Sequence, residues 1–397
     1  MKVAFFTDSF HEVNGVANTS RQFDAFARRR QLPFLRVCAG PETKTVTEGP
    51  HVAVELRRGR PALPIEKDMS FDLSLPIREG GRLKRLLREF RPDVIHVTGP
   101  SDIGIMGFSL SRDLGIPLVA SWHTNLHEYS GRRLEKALEF LPVGMRQALG
   151  RGAEAASLEI IAWFYRRARI GLAPNPELVE SLKRWTKRPC FLMRRGIDTN
   201  LFRPERRDRT DGRFVIGYVG RITSEKGVRM LLDIERALEA RGVRDYVFRV
   251  IGHGGELDWL RTNLKQAEFP GVIKGEALAR EYSNMDLFVF PSRTDTFGNV
   301  VLEAFASGVP ALVTDACGPK FLIEEGVNGM VRSTDAEFAS AAATLAVERE
   351  RIPAMRVAAR QYALTQSWDS VFESVYDAYQ FAVTREQIAE AVPCTVK

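Results

Sequence analysis

Residues 287–307 read LFVFPSRTDTFGNVVLEAFAS, which predicts a buried strand, a polar loop and a helix in immediate succession. The strand is the apolar run Leu287–Phe290, and the helix begins near Asn299. Parallel strands need a crossover connection, usually a helix, so a strand that leads into a helix is typical of a β–α–β unit. This stretch therefore predicts an α/β protein with parallel sheets.

The same alternation of strand and helix patterns continues along the whole chain. In the first half the predicted strands are Lys2–Phe6, Phe34–Cys38, Val52–Glu55, Val94–Val97, Leu118–Trp122 and Ile170–Ala173. A second series begins near Arg213 with the strand-like segments FVIGYVGR, YVFRVIG, VIKGE, DLFVFPS and VPALVTD. Two series of strands predict two sheets, and a length of 397 residues fits two domains.

The predicted boundary is the stretch PERRDRTDG, residues 204–212, in which six of nine residues are charged and none is apolar. We therefore predict domains at 1–203 and 204–367. A last helical pattern, residues 368–397, either caps the second domain or crosses back to the first.

Composition excludes several classes of protein. With 44% hydrophobic and 27% charged residues the chain is typical of globular proteins, and no apolar run is long enough for a membrane span or a signal peptide. The four cysteines are far apart, which predicts reduced thiols and a cytoplasmic protein.

Charge is uneven along the chain. Residues 1–200 contain 32 Lys and Arg against 22 Asp and Glu, whereas residues 201–397 contain 25 against 28. A basic half favours phosphate-bearing ligands or an anionic membrane surface, and a merely solvated basic face is the alternative. Nucleic acid is disfavoured, because the arginine clusters lie on helical patterns without interleaved stacking aromatics.

The loop before the helix at Asn299 predicts a phosphate site. Free backbone N–H groups at Phe297, Gly298 and Asn299, together with the helix dipole, favour an anion there. Glu303 shares a helix face with Asn299, and Asp295 precedes the helix. The alternative is that Asp295 only stabilises the loop and that Glu303 is a solvated helix residue.

A second turn from strand to helix, in FVIGYVGRITSEKGVRMLL, contains two cations. Arg221 and Lys226 are suited to bind a diphosphate that gains charge as it leaves. The alternative is a pair of surface salt bridges to Glu225 or Asp233. A third turn, after the first strand, contains Gly15, which could approach a phosphate or simply allow the turn.

A metal site is not predicted. His123 and His127 are four residues apart in HTNLHE, but this is not the His-Glu-x-x-His order of zinc proteases, and the chain has no Asp-x-Asp pair. A bound diphosphate would then be neutralised by protein cations.

Together these segments resemble the retaining glycosyltransferases of family 4. The motifs that carry the resemblance are NGVANT (14–19), SWHT (121–124), APNPELVESL (173–182), RRGID (194–198), VGRITSEKG (219–227) and FPSRTDTFGNVVLEAFASGVPALVTD (290–315). The resemblance implies the GT-B fold, in which two Rossmann-like domains with parallel sheets face each other across a cleft. Within the family the chain is most similar to sulfolipid-synthase-like enzymes and lipid-directed mannosyltransferases.

The resemblance also implies roles for particular residues. Gly15 would face the donor diphosphate, His123 would line the reaction centre, and Arg221 and Lys226 would bind the diphosphate. The Glu-x7-Glu motif of the family falls on residues 295 and 303.

Two departures from the family's pattern concern sugar binding. Asp295 is one methylene shorter than the family's first glutamate and would contact sugar hydroxyls, while Glu303 would contact the ribose. After the last strand, Cys317–Phe321 replaces a glycine-rich turn, and Pro319 has no N–H to donate.

The implied reaction transfers a hexosyl group from a nucleotide-diphosphate sugar, GDP-mannose or a UDP-hexose, to an acceptor hydroxyl with retention of configuration. No cofactor or metal is expected, and the leaving phosphate would take the acceptor proton. The expected acceptor is a lipid or a glycan. The alternatives are an epimerase of the same fold, a glycosyltransferase with a soluble acceptor, and a sensor that binds the donor without turnover.

The segment Gly131–Leu172 is the clue to a lipid acceptor. Its second helical pattern brings apolar residues beside a basic cluster, namely Leu158, Ile161, Phe164 and Tyr165 beside Arg166, Arg167 and Arg169. Such a face could rest on anionic lipid at the inner side of the membrane. The alternative is a stripe that faces the protein core.

Overall fold

The structure is a computed structural model, and it describes residues 1–12, 14–59, 63–66, 69–72, 74–123, 143–316 and 318–391. It forms two units. Unit 1 comprises Met1–Arg194 and Val371–Lys397, and unit 2 comprises Arg195–Ser370. Each unit contains a mainly parallel sheet with helices between its strands, so the predicted α/β class is confirmed.

The strands of unit 1 are β1 (Val3–Thr7), β2 (Phe34–Gly40), β3 (Lys44–Glu48), β4 (His51–Arg57), β5 (Leu63–Glu66), β6 (Met69–Phe71), β7 (Val94–Val97), β8 (Leu118–Ser121), β9 (Ile170–Ala173) and β10 (Cys190–Leu192). Its main sheet has the order β10-β9-β8-β7-β1-β2-β4-β3, in which only the β3–β4 pair is antiparallel. Strands β5 and β6 form a separate two-stranded sheet.

The described helices of unit 1's first segment are α1 (Gly15–Arg29), α2 (Leu75–Phe90), α3 (Asp102–Leu114), α4 (Val143–Tyr165) and α5 (Pro176–Thr186). Local sequence sets where several of them begin. The Asn14 side chain accepts from the Ala17 N–H, and Asn175 accepts from the Leu178 N–H, so each asparagine satisfies a donor that the first turn leaves open.

The strands of unit 2 are β11 (Phe214–Val219), β12 (Tyr246–Ile251), β13 (Ala267–Gly271), β14 (Leu287–Phe290), β15 (Ala311–Thr314) and β16 (Gly329–Arg332). Its helices are α6 (Met230–Ala240), α7 (Leu257–Asn263), α8 (Gly275–Ser283), α9 (Asn299–Ala306), α10 (Asp335–Val347) and α11 (Ile352–Leu364). The all-parallel sheet has the order β13-β12-β11-β14-β15-β16. The central strands are buried at every residue, as expected for a sheet covered on both faces.

One predicted strand of unit 2 is wrong. The segment VIKGE, residues 272–276, is not a strand but leads into α8, and the edge strand is Ala267–Gly271 instead. That strand is only partly buried and contains Pro270, which an edge position tolerates because no ladder partner needs its N–H. Without a continuous apolar run, it gave no pattern to recognise.

The division between the units lies after Arg194, earlier in the chain than the predicted boundary at 203/204. Phe202 belongs to the hydrophobic core of unit 2. The charged stretch at 204–212 is fastened to the same unit, because Arg207 and Arg209 pair with the Asp286 carboxylate at 2.7 and 2.6 Å. The charged residues that suggested a linker therefore form ion pairs within unit 2.

The last helix, α12 (Trp368–Ala391), runs from unit 2 into the second segment of unit 1. Phe372 stacks on Phe23 of α1 with 4.5 Å between ring centroids and 12° between ring planes. Further along, Glu373 pairs with Arg30 at 2.7 Å. The first turns of α12 beyond Ser370 thus pack on α1, the first helix of the chain.

Helix α4 corrects the predicted membrane-facing residues. Ile161, Phe164 and Tyr165 lie in the core of unit 1, and Leu158 packs against that core. The core-facing interpretation therefore holds for these four residues. Among the described residues, no helix is both long enough and apolar enough to cross a membrane.

Candidate functional site

The two predicted phosphate loops of unit 2 meet because the strands before them are neighbours. β11 pairs with β14, and the strand order reverses between them, since β12 follows on one side and β15 on the other. In open parallel sheets, ligands bind outside the carboxyl ends of the strands at such a reversal. Both loops, 220–227 after β11 and 291–298 after β14, leave the sheet at this edge.

Glycine permits the close approach of the two loops. Gly227 ends a short 3₁₀ helix, Ser224–Lys226, with φ of +66°, and a Cβ there would lie 2.7 Å from the carbonyl oxygen of Pro291. A side chain at 227 would push the loops apart. The sequence thus enforces contact between the loop that carries Lys226 and the loop that carries Asp295.

Lys226 and Asp295 form the central ion pair. The Lys226 Nζ lies 2.7 Å from Asp295 Oδ2, and the Ser292 hydroxyl donates to the same oxygen at 2.5 Å. Among the described residues, no hydrogen bond to Asp295 Oδ1 is found. Lys226 is 9% exposed, so this is a nearly buried cation and not a surface lysine.

Arg221 lies on the same loop but is accessible. Its side chain is 56% exposed, and its guanidinium lies 3.6 Å from the Glu225 carboxylate. Glu225 is one of the two partners expected for a surface salt bridge. The Tyr218 hydroxyl donates to the Arg221 carbonyl oxygen at 2.7 Å, which fixes the backbone where the loop leaves β11. The guanidinium is thus accessible to solvent, while its backbone is held in place.

The loop before α9 has the predicted form. Gly298 precedes Asn299, the first residue of α9, with φ of +90°, and its Cβ position would lie 2.8 Å from the Pro319 ring. Phe297 is buried, and the buried Arg195 guanidinium lies 5.9 Å from its ring centroid. The α9 N-terminus is thus held by packing on both sides.

Glu303 is not the solvated helix residue of the alternative interpretation. It is partly buried, and the Tyr282 hydroxyl of α8 donates to its Oε2 at 2.8 Å. Burial raises the pKa of the Glu303 carboxyl from 4.5 to about 7. A carboxyl that is costly to ionise, one turn into a helix that follows such a loop, is typical of a binding site.

The turn that departs from the family's pattern packs against these loops. The Gly318 N–H donates to the Asp295 carbonyl oxygen at 2.8 Å, and a Cβ at Gly318 would lie 2.0 Å from the Thr296 carbonyl oxygen. Pro319 is buried, while Lys320 is partly exposed. The short helix Gly318–Leu322 therefore supports the Asp295 loop directly.

In unit 1 the order of the sheet reverses between β1 and β7, and Gly15 and His123 follow strands near this point. Gly15 is the exposed first residue of α1, directly after β1's loop. His123 is 9% exposed and follows β8, the neighbour of β7. Asn14 caps α1 beside Gly15, so the glycine sits at a helix N-terminus.

His123 belongs to a buried hydrogen-bonded chain. Its Nε2 lies 2.7 Å from Ser121 Oγ, which lies 2.8 Å from His96 Nε2, and His96 Nδ1 lies 2.6 Å from the Tyr379 hydroxyl. The Tyr165 hydroxyl donates to the Ser121 carbonyl oxygen at 3.0 Å. Sequence reasoning singled out only the histidine, since nothing in the strand VIHV or in α12 marks the other members.

Asp8 is a further residue that the sequence did not single out. It follows β1 directly, its carboxylate accepts from the Ser101 hydroxyl, and its N–H donates to Thr98 Oγ1 at 2.9 Å. Burial raises the pKa of Asp8 to about 6. A polar residue placed immediately after a central strand is the signal that could have indicated it.

Metal ligation has one geometric candidate among the described residues. Ligand atoms of His11, Cys38 and Glu55 lie within 4.8 Å of one another. Glu55 already faces Arg36 and Lys44, each at 3.5 Å, and burial raises the pKa of the Cys38 thiol to about 12. These charges disfavour a cation, and we assign no metal to the group.

Two positions of the predicted histidine motif, His127 and Glu128, lie outside the described residues, as do Cys317 and Cys394. Cys190 and Cys38 are free, buried thiols.

Comparison with known proteins identifies the family. A family model for Glycosyltransferase Family 4 matches residues 15–201, and one for Glycosyl transferases group 1 matches residues 213–347. The GDP-mannose-dependent alpha-mannosyltransferase of Mycolicibacterium smegmatis is 32% identical, over 98% of this chain and 100% of that protein. The chain belongs to glycosyltransferase family 4. It is a glycosyltransferase with a nucleotide-sugar donor, as the motifs predicted.

Two further relatives agree with this. The sulfoquinovosyl transferase SQD2 of Arabidopsis thaliana is 29% identical over 61% of this glycosyltransferase and 46% of its own length. The solved sucrose-phosphate synthase of Thermosynechococcus elongatus superposes with a TM-score of 0.73 at 16% identity, over 99% of this chain and 100% of that one. The latter likeness concerns the fold, and it supports GT-B.

Proposed function

We propose that this glycosyltransferase moves a mannosyl group from GDP-mannose to a hydroxyl of a membrane lipid, with retention of configuration and without a metal. Its full-length relatives that are named GDP-mannose-dependent alpha-mannosyltransferases support the donor. The observation that carries the proposal is the nearly buried Lys226–Asp295 pair, held between two touching loops at the reversal of the unit 2 sheet.

The donor diphosphate is assigned to the loops of unit 2. Lys226 and Arg221 would neutralise it, and the N–H groups at Phe297, Gly298 and Asn299 would bind its oxygens at the start of α9. Lys226 currently neutralises Asp295, so an arriving diphosphate would compete for the ammonium. The Asp295 carboxylate would then be available to sugar hydroxyls.

Glu303 is assigned to the ribose. Its carboxylate already accepts one hydrogen bond, from Tyr282, and a ribose hydroxyl would supply another. Because hydrogen bonds favour the charged form, donor binding would lower the raised pKa of Glu303. Gly15 would face the diphosphate and His123 would line the reaction centre.

In the proposed reaction one bond breaks and another forms on the same face of the anomeric carbon. The bond from the anomeric carbon to the leaving phosphate oxygen breaks, the bond to the acceptor oxygen forms, and the acceptor proton passes to that phosphate oxygen. The protein binds and orients the reactants and stabilises the charge of the departing diphosphate.

A membrane surface is assigned to the solvent face of α4. Met145, Leu149, Ile160 and Trp163 are exposed on it, with Ile160 at 70% and Trp163 at 50%. Their spacing of three or four residues, continued through small residues at 152 and 156, places them along one side of the helix. This exposed row is distinct from the core-facing residues first considered.

Basic residues flank the exposed row, and their charge suits an anionic bilayer. The Arg167 guanidinium lies over the Trp163 ring, 3.6 Å from its centroid, and Arg151 is exposed further along the helix. Arg166 is also exposed but pairs with Glu159 at 3.2 Å. Aromatic rings beside arginine are typical of helices that lie at the surface of charged membranes.

The donor assignment is tested by incubating the purified chain with GDP-mannose or with UDP-hexoses, plus a lipid extract, with and without a chelator. We expect GDP-mannose, and not the UDP-hexoses, to give mannosylated lipid with retained configuration. The chelator should leave the rate unchanged. Free GDP-sugar converted to its epimer without acceptor would instead identify an epimerase.

The membrane assignment is tested by co-sedimentation with phosphatidylglycerol vesicles at low and moderate salt. Trp163→Ser with Ile160→Ser should lower vesicle binding several-fold. Val357→Ser is the matched control, because Val357 is 58% exposed on α11 of unit 2. Two results would point to a soluble acceptor. One is wild-type binding to the vesicles that does not change with salt, and the other is a control variant that binds as weakly as the double variant.

A further inference from the structure

The hydrogen-bonded chain from Tyr379 to His123 joins the end of the sequence to the proposed reaction centre. Tyr379 lies on α12, His96 in β7, Ser121 at the end of β8, and His123 directly after it. His96 and Tyr379 are fully buried and Ser121 is 1% exposed. The three links measure 2.6, 2.8 and 2.7 Å, so each is a short, well-formed hydrogen bond.

The three hydrogen bonds of this chain must all donate in the same direction. Burial lowers the pKa of His96 to about 3, so its ring is neutral and has one donor and one acceptor nitrogen. Ser121 has one proton to give. Its other neighbour, the Val97 carbonyl oxygen, is 3.5 Å away, a poor acceptor compared with a ring nitrogen at 2.7 Å.

Only one of the two directions satisfies every donor. If Tyr379 donates to His96 Nδ1, then His96 Nε2–H donates to Ser121, and Ser121 donates to His123 Nε2. In the reverse direction the Tyr379 proton has no acceptor among the described residues, in a fully buried position. A buried donor without an acceptor is destabilising, so the first direction is favoured.

We propose that Tyr379 is a positioning residue that acts through His96 and Ser121 to fix the tautomer and orientation of His123. In this arrangement Nε2 of His123 accepts from Ser121, and a neutral ring carries its proton on Nδ1. Nδ1 is then the donor nitrogen of the ring. The inference rests on the proposed function, which assigns His123 to the reaction centre.

α12 provides a matched pair of variants. Tyr376 lies one turn before Tyr379, and its hydroxyl is buried without a hydrogen-bond partner in the described structure. Tyr379→Phe removes the first donor of the chain, whereas Tyr376→Phe removes a hydroxyl that has no hydrogen-bond partner among the described residues. Both changes keep the ring that packs in unit 1.

The test combines imidazole ¹⁵N NMR of the full chain, labelled at its six histidines, with transfer kinetics. In the wild type we expect the proton of His96 on Nε2 and that of His123 on Nδ1. In Tyr379→Phe we expect His123 to become a mixture of tautomers and kcat to fall about tenfold, with KM for the donor unchanged. Tyr376→Phe should match the wild type in both measurements.

Two results would overturn the inference: a His123 proton on Nε2 in the wild type, or a folded Tyr379→Phe variant with wild-type tautomers and kcat. Failure of the proposed function looks different. A wild type that transfers no sugar removes the kinetic readout, but the tautomers still decide whether Tyr379 sets the state of His123.

Discussion

The raised pKa of Glu303 predicts that removing this charge stabilises the protein while weakening donor binding. The rise from 4.5 to about 7 corresponds to at most about 3 kcal/mol between the charged and neutral forms. The folded chain holds this proton more tightly than the unfolded chain does. As pH rises from 4.5 to 7 the unfolded state therefore loses it first, and the free energy of unfolding falls through this window and is level above it.

Glu303→Gln keeps an oxygen that can accept from Tyr282 but does not titrate. At pH 4 we expect the variant and the wild type to unfold alike. At pH 8 we expect unit 2 of the variant to be more stable, by up to about 3 kcal/mol. Its affinity for GDP-mannose should nevertheless fall about tenfold or more, because an amide accepts a weaker hydrogen bond than a carboxylate.

The measurement is urea unfolding from pH 4 to pH 8, paired with donor titration calorimetry at pH 8. Glu276→Gln is the control, because Glu276 is 78% exposed and pairs only at the surface, with Arg206. Parallel pH profiles for Glu303→Gln and the wild type would show that burial does not penalise this carboxylate. That result would remove the electrostatic argument for its role.

Three further changes test other parts of the structure. Lys226→Met should lower kcat/KM for the donor at least about 100-fold, measured by product release, since it removes the ammonium beside Asp295. Gly227→Ala should destabilise unit 2 by about 2 to 4 kcal/mol in urea unfolding, because a Cβ at φ of +66° meets the Pro291 oxygen. Phe372→Ala should cost unit 1 about 3 to 5 kcal/mol by the same assay, through loss of a buried stacked ring. An unchanged unfolding midpoint in either of the last two would contradict the packing described.

The two loops of unit 2 that we propose for the donor could be predicted because the residues that shape them are local in sequence. Gly298 before a helix, and Gly227 after Lys226, mark turns from strand to helix within a few residues. The meeting of the two loops followed once parallel strands were assigned, since carboxyl ends share one edge of a sheet. The sequence could not show that Lys226 is nearly buried, because burial depends on both loops at once.

Interactions between distant segments could not be predicted. Tyr379 and His96 are 283 positions apart, and each looks like an ordinary core residue in its own segment. The exposed face of α4 was assigned to the wrong residues for a related reason. An amphipathic pattern shows that a helix has two faces, but Ile161 and Ile160 are distinguished only by the fold, which buries Ile161 in the core of unit 1 and leaves Ile160 exposed.

Unit 1 consists of two stretches of chain with the whole of unit 2 inserted between them, and this has a consequence for biosynthesis. A ribosome synthesises every residue of unit 2 before it makes the turns of α12 that cover Phe23. Until then the nascent first unit presents an uncovered aromatic surface to the cytosol, the kind of surface that chaperones bind. Translation that stops before residue 371 would leave that surface permanently open.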